Sequence, residues 1–346
     1  GLTMFVQIAA VRSSFDANLQ QNIPERAPAF FALDVPRDRA GEFRRIVMEA
    51  SPQADVQLVP LLRGTITGYG ATNVADLAEI PDGAWALRGR GRRVATSMIE
   101  HHAVHGAASW LRELDFAEEH LACGAAGYVD PTAIDDLPAD TTVVSLMLAN
   151  NETGVVQPVA EAAHRAHELN MRLHCDAVQA AGKIPVDFAR LGVDYLVISA
   201  HKLGGPKGIG ALIVREGAPL SALFRGSSHE RGRRGGTENV PGIVALGEAA
   251  SLAAAELGAT SAHLRLLRDR FESGLRRAFP DAVVHGSQAP RLPNTTNVSI
   301  PGARADHLLM ALDARGIEVS AGAACASGAV EPSPVLAAMQ VPRELA

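Results

Sequence analysis

From about residue 93 onward, apolar strand-like runs alternate with amphipathic helical segments, and this alternation constrains the fold more than any other feature. We predict strands at 141–150, 171–177, 193–199 and 210–214. Between the first two, residues 158–169 predict a helix, because Val159, Ala162, Ala163 and Ala166 fall on one face. Strands that alternate with helices are typical of α/β proteins with a parallel or mostly parallel sheet covered on both faces.

The composition bounds the class of protein. The chain has 346 residues, of which 47% are apolar and 20% charged, enough for a buried core and for two or three domains. A net charge of −6 gives no general attraction for nucleic acid or an anionic membrane. Three cysteines at unrelated spacings form neither a disulfide framework nor a zinc pattern, and they favour a reducing compartment.

The first 92 residues differ in character from the rest. The opening run GLTMFVQIAAV is apolar over only about half the length of a membrane span; it is either the tail of a membrane helix or, as we favour, a buried helix. A small α+β unit is predicted next, with a strand at 30–35, a helix at 38–50, and strands in VQLVPLLRG and TITGYG. The basic run RGRGRR (88–93) then indicates a linker or junction.

The end of the chain predicts a second, smaller α+β domain. A long helix over 240–279 leads into a strand at 294–300, a helix at 306–316 and a strand at 317–320. Cys325 follows in the run SAGAACASGAVEPS, whose small residues have no apolar period, so we expect a mobile loop there. Cys123 and Cys175 are instead expected to be core residues.

Polar residues lie at the ends of three predicted strands and after the apolar run VATSMIE, the places where ligands of open α/β sheets bind. They are His101 and His102; Asn150, Asn151 and Glu152; Asp176 and Gln179; and Ser199, His201 and Lys202. A lysine that emerges from an apolar strand is hard to explain as a solvated charge, and a neutral amine can bind a carbonyl covalently. Asp176 could keep a pyridinium nitrogen protonated, so Lys202 and Asp176 together suggest pyridoxal phosphate. The alternative is that the two residues form a buried ion pair.

Metal binding is the less favoured interpretation of the histidines. EHHAVH (100–105) has helical i, i+4 histidines, but no further pair of ligands accompanies them, so we predict no metal site.

A family resemblance rests on these same segments. It is carried by TSMIEHHAV, LANNETGVVQPV, HCDAVQAAGKIPVDF, VDYLVISAHKLGGPKGIGAL, HERGRRGGTENVPGIVALGEA, LPNTTNVSIPG and AGAACASGAVEPSPVLAAM. In this order they resemble the motifs of cysteine desulfurases, the iron-sulfur-assembly and nitrogen-fixation branch of the class V aminotransferases. The resemblance covers about residues 93–346 and implies a fold type I pyridoxal-phosphate enzyme, an α/β large domain plus a smaller α+β domain, located in the cytoplasm.

The resemblance also implies a role for each matching residue. Lys202 would bind the cofactor covalently, His101 would stack on its ring, and Asp176 would pair with the ring nitrogen. Cys325 would accept sulfur from L-cysteine and pass it to an iron-sulfur scaffold or sulfur-carrier protein. The remaining implied contacts are Asn151 and Gln179 to the substrate and ring hydroxyl, Ser199 and His201 to the phosphate, and Thr237 to the phosphate of a partner subunit in a homodimer.

Two departures leave alternatives open. Residues 1–92 lack the family's Gly-Ala-Thr-Glu phosphate loop, and the arginine that clamps the substrate carboxylate has no counterpart before Ala346. Residues 1–90 instead resemble the extracytoplasmic domain of ABC-transporter permeases. We therefore expect segments of 1–92, 93–258 and 259–346, and keep as alternatives a catalytically incompetent chimera with its seam near 89–93 and a selenocysteine-lyase-like enzyme.

Overall fold

The computed structural model describes residues 91–321 and 333–345, together with Arg45 and the segments 68–69 and 72–73. The chain divides into two compact units, Gly1–Ala78 and Glu79–Ala346. In the first unit, strand β1 (Gly68–Tyr69) lies within the predicted strand TITGYG and pairs antiparallel with β2 (Thr72–Asn73). The strand predicted at 30–35, that in VQLVPLLRG, the apolar run at 1–11 and all of the helix predicted at 38–50 except Arg45 lie outside the described residues.

A six-stranded mixed sheet forms the centre of the second unit. Its strands are β3 (Arg93–Ser97), β4 (Ala117–Leu121), β5 (Thr141–Ser145), β6 (Arg172–Asp176), β7 (Tyr195–Ser199) and β8 (Gly210–Val214). They are ordered β4-β3-β5-β6-β7-β8, and every neighbouring pair is parallel except β7 and β8. This confirms the predicted mostly parallel sheet.

Helices connect the strands. They are α1 (His102–Glu113), α2 (Val159–Glu168), the short α3 (Phe188–Leu191) and the long α4 (Val240–Ala278). The side chain of Asn239 caps α4 by accepting a hydrogen bond from the amide of Gly242, and Pro241 occupies its first turn, where a missing amide costs nothing. By length and composition alone α4 is apolar enough to cross a membrane, although core helices pass the same criterion.

The core lies between the sheet and α2. The four predicted residues Val159, Ala162, Ala163 and Ala166 are all buried, and their small side chains let α2 approach the sheet closely. The chain continues buried beyond β5 through Leu146, Met147, Leu148 and Ala149. Cys123 and Cys175 are buried free thiols, as predicted.

A buried carboxylate fixes β6 and β7 beside each other. Asp194 is fully buried, and its Oδ2 accepts hydrogen bonds from the amide of Leu173 at 2.9 Å and from Nε2 of His167 at 2.8 Å. Its Oδ1 accepts a hydrogen bond from Arg215 at 2.5 Å. Because these partners satisfy a charge that would otherwise be costly to bury, Asp194 joins α2, β6 and the end of β8.

The last part of the unit has two short strands, of which only one lies where a strand is predicted. Strand β9 (Val283–His285) pairs antiparallel with β10 (Asn297–Ser299), and helices α5 (Ala305–Asp313) and α6 (Pro334–Ala338) follow. The strand predicted at 317–320 is wrong. Ile317 and Val319 are about half exposed, and no described strand lies alongside to accept the backbone hydrogen bonds that a strand requires.

Candidate active site

The candidate site lies at the carboxyl edge of the parallel strands. Since β3, β5, β6 and β7 run parallel, the residues that follow them emerge at the same edge of the sheet. The structure therefore brings eight of the predicted polar residues to this edge: His101, Asn150, Asn151, Asp176, Gln179, Ser199, His201 and Lys202.

His101 occupies the turn between β3 and α1. Its half-buried side chain caps the helix, with Nδ1 accepting a hydrogen bond from the amide of Ala103 at 3.2 Å. The ring of His102 lies 6.0 Å away at 64°. Because Nδ1 is an acceptor, the cap fixes both the orientation of the His101 ring and its tautomer.

The two asparagines after β5 have different surroundings. Asn150 is fully buried, and its Oδ1 accepts hydrogen bonds from the amides of Glu152 and Thr153, each at 2.9 Å. Its Nδ2 donates to the carbonyl of Ile99 at 2.9 Å. Asn150 is thus occupied in holding the loop, whereas the buried Oδ1 of Asn151 has no hydrogen-bond partner within the described part of the chain. A group bound at the edge would satisfy that atom.

Asp176 is the last residue of β6 and Gln179 follows it, and both are half-buried. Oδ1 of Asp176 accepts a hydrogen bond from the amide of Val178 at 2.9 Å. The ammonium of Lys183 donates to the backbone carbonyl of Gln179 at 2.8 Å and lies 3.4 Å from its Oε1. Burial, followed by the nearby charge of Lys202, lowers the pKa of Lys183 to about 8.

Lys202 differs from the expectation. It lies in a three-ten turn, Ala200–Lys202, of which only Ala200 is buried, and the Lys202 side chain is exposed. The expectation that Lys202 is hard to explain as a solvated charge is therefore not met, because the chain leaves the sheet at Ser199 and Lys202 is exposed in the turn that follows. In the same turn, Oγ of Ser199 lies 2.7 Å from Nδ1 of His201.

The roles of the other two predicted residues, Thr237 and Cys325, stay predictions. Thr237 lies exposed before α4, and its predicted contact is to the phosphate of a partner subunit rather than to the strand-end residues of its own chain. Cys325 lies outside the described residues, so its place relative to Lys202 stays a prediction.

Sequence reasoning missed Glu100 and Lys183. Glu100 is buried directly before His101, and burial, with a smaller contribution from the charge of Asp176, raises its pKa to about 8. In the sequence, Glu100 could have been found as the acidic residue that ends the apolar run VATSMIE, and Lys183 as the single lysine within AAGKIP.

Comparison with known proteins assigns this fold to a family. The family model for class V aminotransferases matches residues 69–343. The chain therefore belongs to the class V aminotransferase family, whose enzymes depend on pyridoxal phosphate.

Within this family, a cysteine desulfurase of Dictyoglomus turgidum is 43% identical over 264 residues, covering 76% of this chain and 67% of the relative. One from Cereibacter sphaeroides is 47% identical over 253 residues, covering 72% and 65%. The chain is a member of the cysteine desulfurase branch.

Solved structures agree. A NifS-like protein superposes with a TM-score of 0.69 at 37% identity, covering 76% of this chain and 69% of that one. DndA from Streptomyces lividans gives a TM-score of 0.65 at 36% identity, covering 76% and 75%. The chain spans about two thirds of the length of the curated relatives it matches.

The strand-end residues fit the ring end of pyridoxal phosphate. Lys202 offers an exposed amine, Asn151 a buried oxygen without a partner, and Asp176 a carboxylate of which only Oδ1 accepts a hydrogen bond from a described residue. An amine that binds the aldehyde, a polar side chain and an anion for the ring nitrogen are the groups this cofactor requires.

Proposed function

We propose that this chain is a pyridoxal-phosphate-dependent cysteine desulfurase, which converts L-cysteine to L-alanine and holds the sulfur as a persulfide on Cys325. The arrangement of Lys202, Asp176 and Asn151 at one sheet edge, in the order of the family's motifs, carries the proposal. The solved relative SspA, 27% identical, is described in complex with cysteine, which supports cysteine as the substrate.

Pyridoxal phosphate, when bound, supplies an electron sink that weakens bonds to the substrate carbons. Around it, Lys202 would hold the cofactor and move the substrate Cα proton with its amine, and Asp176 would keep the ring nitrogen protonated. The other proposed contacts are His101 on the ring face, Asn151 and Gln179 to the substrate and ring hydroxyl, and Ser199, His201 and Thr237 to phosphate groups.

The sulfur-transfer step balances without an external oxidant. The Cys325 thiolate attacks the substrate sulfur, so that an S–S bond forms as the substrate Cβ–S bond breaks. The electron pair of the broken bond stays on Cβ, which takes up a proton and becomes the methyl group of alanine. The outer sulfur of the persulfide is then transferred to an iron-sulfur scaffold or sulfur-carrier protein of the cytoplasm. The chain would act as a homodimer, in which Thr237 contacts the cofactor phosphate of the partner subunit.

A test uses the fact that the sequence has only three lysines, Lys183, Lys202 and Lys207. The purified chain is mixed with pyridoxal phosphate, its visible absorption is recorded, and the adduct is trapped with borohydride and mapped to a peptide. We expect a single adduct on Lys202, lost in Lys202→Ala and kept in Lys207→Ala, a control in the same exposed loop. Cysteine should then yield alanine.

Two alternatives predict other outcomes. A catalytically incompetent chain, the alternative suggested by the lack of the family's phosphate loop in residues 1–92, would fold but give no reducible adduct. A selenocysteine-lyase-like enzyme would form the adduct and release alanine from selenocysteine but not from cysteine.

The chimera hypothesis for residues 1–90 is tested by amplifying source DNA across the seam near 89–93. Two loci would support it, and one continuous frame would refute it.

A further inference from the structure

Glu100 makes contacts that the proposed mechanism does not use. Its side chain is buried, with 4% of the residue exposed. Oε1 accepts hydrogen bonds from the hydroxyl of Ser97 at 2.9 Å and from the amide of Met147 at 2.7 Å. Oε2 is buried as well and has no hydrogen-bond partner among the residues described.

The contact with Met147 replaces a missing part of the sheet. The ladder between β3 and β5 ends at Thr96 and Ser145. Beyond it, the amides of Leu146 and Leu148 donate to β6, whereas the amide of Met147 donates to Glu100. A buried amide requires an acceptor, and here a side chain supplies it in place of a strand.

A second bridge lies beside the first. Nδ2 of Asn150 donates to the carbonyl of Ile99 at 2.9 Å. These two contacts join the extensions of β3 and β5, and His101 and Asn151 are the next residues along each extension. The separation of those two site residues therefore depends on Glu100 and Asn150.

The surroundings of Glu100 disfavour a charge on it. Both donors reach Oε1, and no cation forms an ion pair with the carboxyl group within the described part of the chain. The titratable groups that interact with it are both on β6: Asp176, which carries the same sign of charge, and the buried thiol of Cys175. An unpaired, buried carboxylate beside another carboxylate is costly, so the neutral acid is favoured.

We propose that Glu100 is a positioning residue whose uncharged carboxyl group joins the ends of β3 and β5 and so fixes His101 and Asn151 on either side of the site. Its importance for the reaction rests on the proposed function, but the placement itself does not require the cofactor.

The first test compares wild type with Glu100→Gln, which keeps the acceptor and cannot ionise. Unfolding is measured in urea on the cofactor-free chain between pH 5.5 and 7.5. A folded-state pKa of about 8, above the ordinary 4.5, means that the wild type loses stability as pH rises through this window. The folding equilibrium constant of Glu100→Gln relative to wild type should rise about tenfold per pH unit. A ratio that stays flat would overturn the uncharged state.

The second test addresses placement. Amide hydrogen exchange is measured in Glu100→Gln and in Glu100→Met, which has similar volume but no acceptor. We expect Gln to keep protection at Met147 and at Ala103, whose amide His101 caps, and Met to lose it at both. Unchanged protection of Ala103 in Glu100→Met would refute the positioning of His101. If Glu100→Met does not fold, an unprotected Ala103 in Glu100→Gln while Met147 stays protected refutes it instead, because the bridge would then be present without fixing His101. A wild type that forms no cofactor adduct counts against the proposed function alone, since neither readout uses the cofactor.

Discussion

The hydroxyl of Ser333 donates a hydrogen bond of 2.5 Å to Oε2 of Glu152, joining residues 181 positions apart. Oγ of Ser333 also accepts hydrogen bonds from the amides of Val335 and Leu336 and so caps α6. Glu152 lies next to Asn151, in the loop after β5. Ser333 directly follows the segment 322–332, which contains Cys325. The hydrogen bond therefore attaches the end of that segment to the loop that carries Asn151, a candidate substrate contact.

Ser333→Ala should lower the free energy of unfolding by roughly 1–3 kcal/mol. It removes a helix cap and also leaves the buried Glu152 carboxyl without its donor. Urea denaturation measures the loss, with the exposed Ser287→Ala as the control. A loss no larger than that of the control would show that Glu152 reaches water when Ser333 is removed.

Regular elements with a clear apolar period were predictable from the sequence, and those stabilised by specific partners were not. Strand β8 matches its predicted bounds, 210–214, and α2 lies within 158–169. Strand β4 was missed because AEEHL has no apolar run. Its Glu118 is instead satisfied by the hydroxyl of Thr96 and by Arg112. A sequence pattern does not reveal such partners.

The candidate site divides in the same way. The polar residues after β3, β5, β6 and β7 were predictable, because parallel strands deliver their carboxyl ends to one edge. The exposure of Lys202 and the burial of Glu100 were not, since they depend on how the chain turns after the strand ends. The roles assigned to the site residues stay predictions.

Lys183 should show an altered reactivity with pH in the cofactor-free chain. Burial, and then the charge of Lys202, lowers its folded-state pKa from 10.5 to about 8, so its amine becomes neutral at a lower pH than in the unfolded chain. The chain should accordingly gain stability as pH rises from about 8 to 10.5. Reductive methylation read by mass spectrometry should give a half-maximal rate for Lys183 near pH 8. A rate that still climbs steeply near pH 10 would contradict this prediction.

Cys325→Ala should separate sulfur transfer from cofactor binding. The variant should keep the reducible adduct on Lys202, while alanine release from cysteine falls by about three orders of magnitude, because the attacking thiolate is lost. Cys123→Ala is the matched control, since that thiol is buried and burial raises its pKa, which makes it a poor nucleophile. Similar losses in both variants would indicate a general effect on folding rather than a nucleophile at Cys325.

Gly154 tests how tightly the loop after β5 packs on the segment around Leu292. Its φ of +75° is in the left-handed region, and a Cβ there would lie 2.9 Å from Cβ of Thr295. Gly192 has a similar φ of +66° with open space around it. Both alanine variants incur the backbone cost of about 1 kcal/mol, but only Gly154→Ala adds overpacking, for a total of about 2–4 kcal/mol. The difference between the two, measured by urea denaturation, isolates the contact with Thr295. Equal losses would mean that Thr295 moves aside and that the loop carrying Asn151 is not held from this side.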